Sequence, residues 1–333
     1  MQKFRAAGRL QTHKVRTLMA AALAAVALAV TFAQAQATVP KVVATVGMIG
    51  DVAAELASTC AEVHVLVGAG SDPHLFRASA GDVRLLEIAD LVLYNGLYLE
   101  AGLARVLEGF ARRTPTVAVA ELAVAPVDRI SHGRDLYDPH VWMDASLWAD
   151  AAAVIAEALA GVMKDEACLQ QVADRASDYR SLLLQLHAWS GVAIGTIPEQ
   201  QRILVTAHDA FAYFGRAYGI EVEGVQGIST ETEAAVADIR RVAQLLVDRQ
   251  VPALFLESTI NPRTVTAVLE AVQQRGGATL IGSELYADAL GSAGQPEGTY
   301  VGMVLHNVRA ITSALGGTLP ELPADVAAWE ARW

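Results

Sequence analysis

The chain has 333 residues, 53% of them hydrophobic and 18% charged, with 25 Lys+Arg against 36 Asp+Glu and a formal net charge of −11. This composition excludes a mostly disordered chain, and the length provides for two domains or one large one.

Residues 1–35 stand apart. Lys3, Arg5, Arg9, Lys14 and Arg16 precede an apolar run over residues 18–33, which is short for a membrane span of about 20 residues. The run ends in Ala33-Gln34-Ala35-Gln36-Ala37, with small residues placed for cleavage after Ala35 or Ala37. This is the layout of a cleaved secretory signal, with a retained membrane anchor as the alternative. No cysteine stands directly after the cleavage region, so export without lipid attachment is expected. Setting the leader aside leaves 20 Lys+Arg against 36 Asp+Glu, a formal −16. No basic cluster remains to neutralise phosphates, which counts against nucleic acid as a partner and favours a cationic ligand. Cys60 and Cys168 both lie in the exported part. An oxidising compartment would allow one disulfide, and the sequence leaves their pairing open.

Beyond the leader, short Val/Ile/Leu-rich runs alternate with longer amphipathic stretches, the pattern of parallel strands covered by helices. Strands are predicted over residues 42–46, 62–67, 91–94 and 116–119, and helices over 49–58, 80–88 and 98–111, closing a first lobe near residue 147. Residues 147–197 carry no strand signal and read as two helices broken near 164–166. The second would be about 45 Å long at about 1.5 Å per residue, long enough to act as a spine. Strands resume over 202–207, 221–224, 253–256 and 279–281. Thr230 and Glu233 have the spacing of a capping box ahead of a helix over 234–249. Pro262 suits the first turn of a helix over 263–274, which Gly276-Gly277 ends. The fold class is therefore α/β: two lobes, each with a mainly parallel four-stranded sheet flanked by helices, joined by a long spine helix. The corresponding limits are a signal peptide over 1–35, an N-terminal lobe over 36–167, a linking helix over 168–198 and a C-terminal lobe over 199–333. In open sheets of this kind a ligand sits beyond the carboxyl ends of the strands.

One short pattern occurs twice, as Asp72-Pro73-His74-Leu75-Phe76 and Asp138-Pro139-His140-Val141-Trp142. In each copy Pro fixes its own φ and restricts the preceding Asp, so a stiff loop presents the His. A stiff loop suits a metal ligand. His208, directly after the predicted strand over 202–207, stands where α/β folds place ligands and gains weight in company with His74 and His140. Three imidazoles suit Zn²⁺ and other borderline divalent metals, and a carboxylate would complete four-coordination. Two acids are placed for this: Asp288, in a loop past the last predicted strand, and Glu257, at the end of the strand over 253–256. Asp288 is the preferred fourth ligand and Glu257 the group expected to orient a His, although spacing alone does not settle that order. His64, His132, His187 and His306, and the five tryptophans, read as packing, loop or solvent-contact residues.

These segments, with Thr206-Ala207-His208-Asp209-Ala210-Phe211, Gly227-Ile228-Ser229-Thr230-Glu231, Phe255-Leu256-Glu257-Ser258 and Asp288-Ala289-Leu290-Gly291, resemble the TroA-like solute-binding proteins of zinc and manganese ABC importers over residues 41–314. The resemblance implies one metal held between two lobes by His74, His140, His208 and Asp288. It also implies a monomer that delivers its cargo to an inner-membrane ABC permease and performs no catalysis. Members that favour manganese often have Glu where this chain has His208. Members dedicated to zinc often carry a His- and acid-rich loop before the second His, whereas residues 126–137 here hold His132 alone. Zinc and manganese therefore both stay open as the cargo. An exported zinc hydrolase using the same three His is the alternative, although no His-Glu-x-x-His sequence is present. The family also includes members described as adhesins, but export without a lipid points instead to the periplasm.

Overall fold

The computed structural model describes residues 39–133 and 136–333, so the predicted leader over 1–35 lies outside the described residues. The first sheet contains β1 (Lys41–Val46), β2 (Glu62–Val67), β3 (Leu91–Tyr94) and β4 (Thr116–Ala118) in the order β2-β1-β3-β4, all parallel. Its central strand reads Lys-Val-Val-Ala-Thr-Val, buried at every position after the first, as a parallel strand covered on both faces must be. Helix α1 (Gly47–Ala57) follows β1 at once and buries Met48, Ile49, Val52, Ala53 and Leu56. Gly50 allows this close approach, because a Cβ there would meet the Val65 side chain at 2.3 Å. Helix α2 (Ala80–Glu87) starts at Ser79, whose hydroxyl accepts from Asp82 N–H while the Asp82 carboxylate accepts from Ser79 N–H, a complete capping box.

The helix predicted over 98–111 is shorter than expected: α3 covers Ala104–Phe110. Ahead of it Gly96, Leu97 and Tyr98 take φ of +82°, +55° and +66°, a left-handed run that costs about 1–2 kcal/mol at each non-glycine position. Buried Glu100 accepts from the N–H groups of Asn95 and Gly96, and Glu121 from that of Leu97. Three successive N–H groups are thus turned toward two carboxylates, which offsets the backbone cost.

After α4 (Val119–Ala123), two long helices follow: α5 (Ala145–Val162) and the 30-residue α6 (Glu166–Gly195). Asp144 and Asp165 cap them, accepting from Ser146 N–H and Cys168 N–H. Helix α5 is long and apolar enough to cross a membrane by length and composition, but Trp148, Ala149, Ala152, Ile155 and Leu159 are buried in the protein core. At about 1.5 Å per residue α6 runs about 45 Å. It packs on α5, α1 and three helices of the second half, α7 (Ala212–Tyr218), α10 (Tyr300–Ala314) and α11 (Ala324–Glu330). Cys60 and Cys168 are joined in a disulfide, tying the segment after α1 to the first turn of this long helix.

The second half contains β5 (Ile203–His208), β6 (Glu221–Gln226), β7 (Ala253–Leu254) and β8 (Leu280–Ile281). β5 pairs with β6 and β7 with β8, all parallel, and a bridge from Thr206 to Phe255 joins the two pairs. The expected four strands are present, the last two only two residues long. Helices α8 (Val236–Asp248), α9 (Pro262–Gln274) and α11 (Ala324–Glu330) complete the chain. Asn261 caps α9, with Pro262 at its first position. The Thr230/Glu233 capping box does not form: α8 begins at Val236 after an uncapped Ala235, and the Thr230 hydroxyl is used elsewhere.

Closing so long a loop restricts the unfolded chain. Replacing Cys60 and Cys168 by Ser is expected to lower the unfolding free energy by about 2–5 kcal/mol. Urea unfolding of the metal-free protein measures this, and superimposable curves would contradict it.

Candidate metal centre

Four chain segments converge at the carboxyl ends of the two sheets. His74 lies in the loop after β2, His140 in the loop leading to α5, His208 at the last position of β5, and Asp288 in the loop after β8. All four are buried, and one donor atom from each lies within 4.8 Å of the others. The three rings all present Nε2. His140 Nε2 is 3.2 Å from Asp288 Oδ1, His208 Nε2 is 3.1 Å from Asp288 Oδ2, and His74 Nε2 is 3.5 Å from Oδ2 and 3.3 Å from His140 Nε2. Donors about 2.0–2.1 Å from a common centre in a tetrahedron stand about 3.3 Å apart, close to these four distances, and the whole set lies within 4.8 Å. Neither Asp288 oxygen has a donor in hydrogen-bond geometry, nor does His208 Nε2 have an acceptor.

The Asp-Pro-His motif explains how the first two rings are set. In both copies Asp Oδ1 accepts from the His backbone N–H two residues on, at 2.8 Å for Asp72 and 2.9 Å for Asp138. Each copy is thus an Asx turn, stiffened by the intervening Pro. Beyond that the copies diverge. Asp138 Oδ1 also contacts His140 Nδ1 at 2.7 Å, which turns Nε2 inward. The carboxylate of Glu257 does the same for His208, contacting Nδ1 and accepting from the His208 backbone N–H at 2.9 Å. Asp72 instead sends Oδ2 to the Thr230 hydroxyl at 2.5 Å.

Three hydrogen bonds that support the site carried no signal in the sequence. Trp142 Nε1–H donates to Ala287 O at 2.9 Å, fixing the backbone just ahead of Asp288, and Tyr300 O–H donates to Trp142 O at 2.7 Å. Asn95, fully buried at the end of β3, donates from its side-chain amide to Pro139 O at 3.0 Å. All join residues far apart in sequence, so no local pattern could have revealed them. The paired Asp-Pro-His segments were a signal for Asp138, since a repeated Asp ahead of a candidate ligand His suggests a second role for the carboxylate.

The remaining histidines among the described residues stand apart from this cluster. His64 pairs with Glu62 on β2, His187 on α6 contacts Asp144, His306 on α10 contacts Glu284 O, and His132 is exposed in a loop.

Burial opposes charge on every one of these groups, and their neighbours decide the outcome. His74 is pushed down to about 4 by burial, which Asp288 offsets only in part. His140 is raised to about 9 against burial, because Asp288 and Asp138 favour its positive form. His208 is held well above the ordinary histidine value against the same burial cost by Glu257 and Asp288. The Asp288 carboxyl, buried too, is held well below the carboxylate range by His208 and His140. Without a cation the surrounding acids therefore favour the positive forms of the His140 and His208 rings. A divalent ion would replace those protons, and the donor set of three imidazole nitrogens and one carboxylate fits a borderline metal.

The sequence matches the family described as ZnuA, zinc-uptake complex component A periplasmic, over residues 42–314. The chain belongs to that family. The zinc-binding protein TroA of Treponema pallidum is 42% identical over 83% of this chain and 89% of the relative. Its solved structure superposes with a TM-score of 0.81 over 83% of this chain and 99% of that one. The manganese-binding lipoprotein MntA of Bacillus subtilis is 40% identical over 83% of this chain and 89% of its own. The Fe(III)-bound structure of YtgA from Chlamydia trachomatis, 28% identical, matches with a TM-score of 0.77 over 85% of this chain and 100% of that one. The family's architecture, two α/β halves and a long helix, is the one described above.

Glu257 favours the imidazolium form of His208. Glu257→Gln should therefore lower the pH at which His208 releases its proton in the metal-free protein, followed by NMR of the imidazole resonances. An unchanged titration would show that another group sets the His208 charge.

Proposed function

We propose that the protein captures one divalent transition metal, Zn²⁺ or Mn²⁺, outside the inner membrane and delivers it to an ABC permease. His74, His140, His208 and Asp288 are the ligands and Glu257 orients His208. The observation that carries this reading is the buried group of four donors spaced as the edges of one coordination shell. Membership of a family described as a periplasmic component of a zinc-uptake complex supports it. The relatives named above are binding proteins for zinc, manganese and iron, so likeness alone does not choose the cargo. Three imidazoles suit zinc better than manganese, while supply inside the cell also decides what a site carries.

The protein acts as an exported monomer, freed of its leader after Ala35, with an N-terminal lobe over residues 36–167, a linking helix over 168–198 and a C-terminal lobe over 199–333. Export without a lipid is supported by the pairing of Cys60 with Cys168, a bond that also suits an oxidising compartment. The hydrolase alternative lacks support in the site. Catalytic zinc keeps a position open for water, whereas Asp288 fills the fourth direction here. The carboxylate that would serve as base, Glu257, is bound to the His208 ring and backbone.

His140→Ala should lower Zn²⁺ affinity sharply while the metal-free fold persists. Unchanged affinity by competition with a chelator would overturn the assignment. Metal content of the protein isolated from its own compartment, measured by mass spectrometry without added metal, decides the cargo: one zinc or one manganese per chain supports the reading and names the ion, and neither would refute it.

The protonation of the cluster gives a pH dependence with a definite sign. The raised value of His140 stabilises the metal-free protein below the ordinary pH 6.5, and this contribution is lost as pH rises through about 9. Metal binding requires the deprotonated ring, so its stabilisation grows over the same range. The gap in melting temperature between metal-bound and metal-free protein should thus widen from pH 6.5 to 9. Calorimetry in buffers of different ionisation enthalpy should show about one to two protons released per ion at pH 7. Binding without proton release would contradict the charge balance described above.

A further inference from the structure

We propose that Thr230 is a positioning residue that acts through Asp72 on His74 and sets the rate at which the bound ion leaves. This rests on the metal-binding reading and adds to it the place where the shell opens. Of the three rings, His140 and His208 each have a carboxylate on Nδ1. His74 has none: among the described residues its contacts are its backbone N–H to Asp72 and its Nε2 to the cluster. It is also the one ligand candidate that lines the outer cavity of about 660 Å³, together with Tyr98, His132, Asp209, Gln226 and Glu233. The way out for an ion therefore passes the least constrained ring.

What holds that ring is the Asp72 turn, and what holds the turn is Thr230, 158 residues away. The hydroxyl is partly buried and donates to Asp72 Oδ2 at 2.5 Å, while Oδ1 accepts from His74 N–H. Thr230 itself is placed from the His208 side. Residues 227–235 form no helix or strand, and the Gln226 side-chain amide pins this loop by donating to Thr230 O at 3.1 Å and Thr232 O at 2.7 Å. Gln226 in turn pairs with His208 in the β5–β6 ladder. The connections run from His208 through Gln226, Thr230 and Asp72 to His74, and an ion held by His74 and His208 closes them into a ring. Breaking the Thr230–Asp72 link leaves all four ligands in place but frees the His74 turn to swing toward the cavity.

The test is Thr230→Val, which keeps the shape and removes the donor, beside Thr230→Ser, which restores it. Zn²⁺ is loaded onto the mature protein and its dissociation followed by stopped-flow chase with a chelator. Losing a hydrogen bond to a carboxylate should raise the dissociation rate of Thr230→Val about tenfold or more, with the association rate and the melting temperature of the metal-free protein unchanged, and Thr230→Ser should match the wild type. The Co²⁺-loaded Val variant should retain the absorption of the full four-ligand site. Dissociation from the Val variant within about twofold of wild type, or equally fast from Val and Ser variants, would overturn the proposal. A wild-type protein that takes up no Zn²⁺ refutes the metal-binding reading instead, and the latch with it, so the two failures are separable.

Discussion

The structure turns on one buried carboxylate. Asp288 lies among His74, His140 and His208 with no water-facing surface of consequence, and an ionised carboxyl in such a place is costly unless opposite charge is close on every side. In the metal-free protein the positive forms of His140 and His208 are favoured there, and a divalent ion would supply the charge more compactly. Everything near the site serves to keep the four groups close despite this cost. Asp138 and Glu257 hold two rings by Nδ1, Trp142 holds the backbone ahead of Asp288, and Asn95 holds the carbonyl ahead of His140. The donors come from four separate segments, so the site exists only where the two halves of the chain are assembled.

Much of the fold was legible because parallel strands buried on both faces must be apolar throughout. The runs at β1 and β3 are of this kind, and the strand pattern located all eight strands and the long α6. Where tertiary contacts outweighed local preference, the sequence misled. The helix expected over 98–111 gives way to a left-handed turn at Gly96, Leu97 and Tyr98, a conformation that Leu and Tyr would avoid without the Glu100 and Glu121 carboxylates on the backbone N–H groups. Thr230 and Glu233 have capping-box spacing, yet the hydroxyl is drawn away to Asp72 across the molecule. At the site the reverse holds. Repetition of Asp-Pro-His marked two rings, and strand ends marked His208 and Glu257, since the chemistry there depends on short, stiff local motifs. The supports supplied by Trp142, Asn95 and Tyr300 were invisible, because each is a single hydrogen bond between distant residues.

The same motif, used twice, has two outcomes, and the difference bears on how an ion could be both held and given up. A shell in which every ring is fixed through Nδ1 binds tightly but has no soft side. Asp138 makes the His140 side rigid by using one oxygen for both the backbone and the ring of the same residue. Asp72 divides its two oxygens between His74 and Thr230, leaving the His74 ring free at Nδ1. The rigid ligands face the core and the free one faces the cavity.

That asymmetry also limits the size of any movement on release. Helix α6 packs on elements from both halves, and the Cys60–Cys168 bond fastens its first turn. Bonds from Tyr300 to Asp51 and Trp142, and from Ile130 N–H to the Tyr213 hydroxyl, cross between the halves at several points. A wide rotation of one half against the other would break all of these together. Among the described residues, a swing of the His74 turn into the cavity breaks one such bond and shifts only the Phe76 side chain against the core. The lower-cost route is therefore local: the frame would stay closed, His140, His208 and Asp288 would stay in register, and exchange of an ion would be confined to the His74 turn, whose one hydrogen bond to a distant residue, among the described residues, is that from the Thr230 hydroxyl.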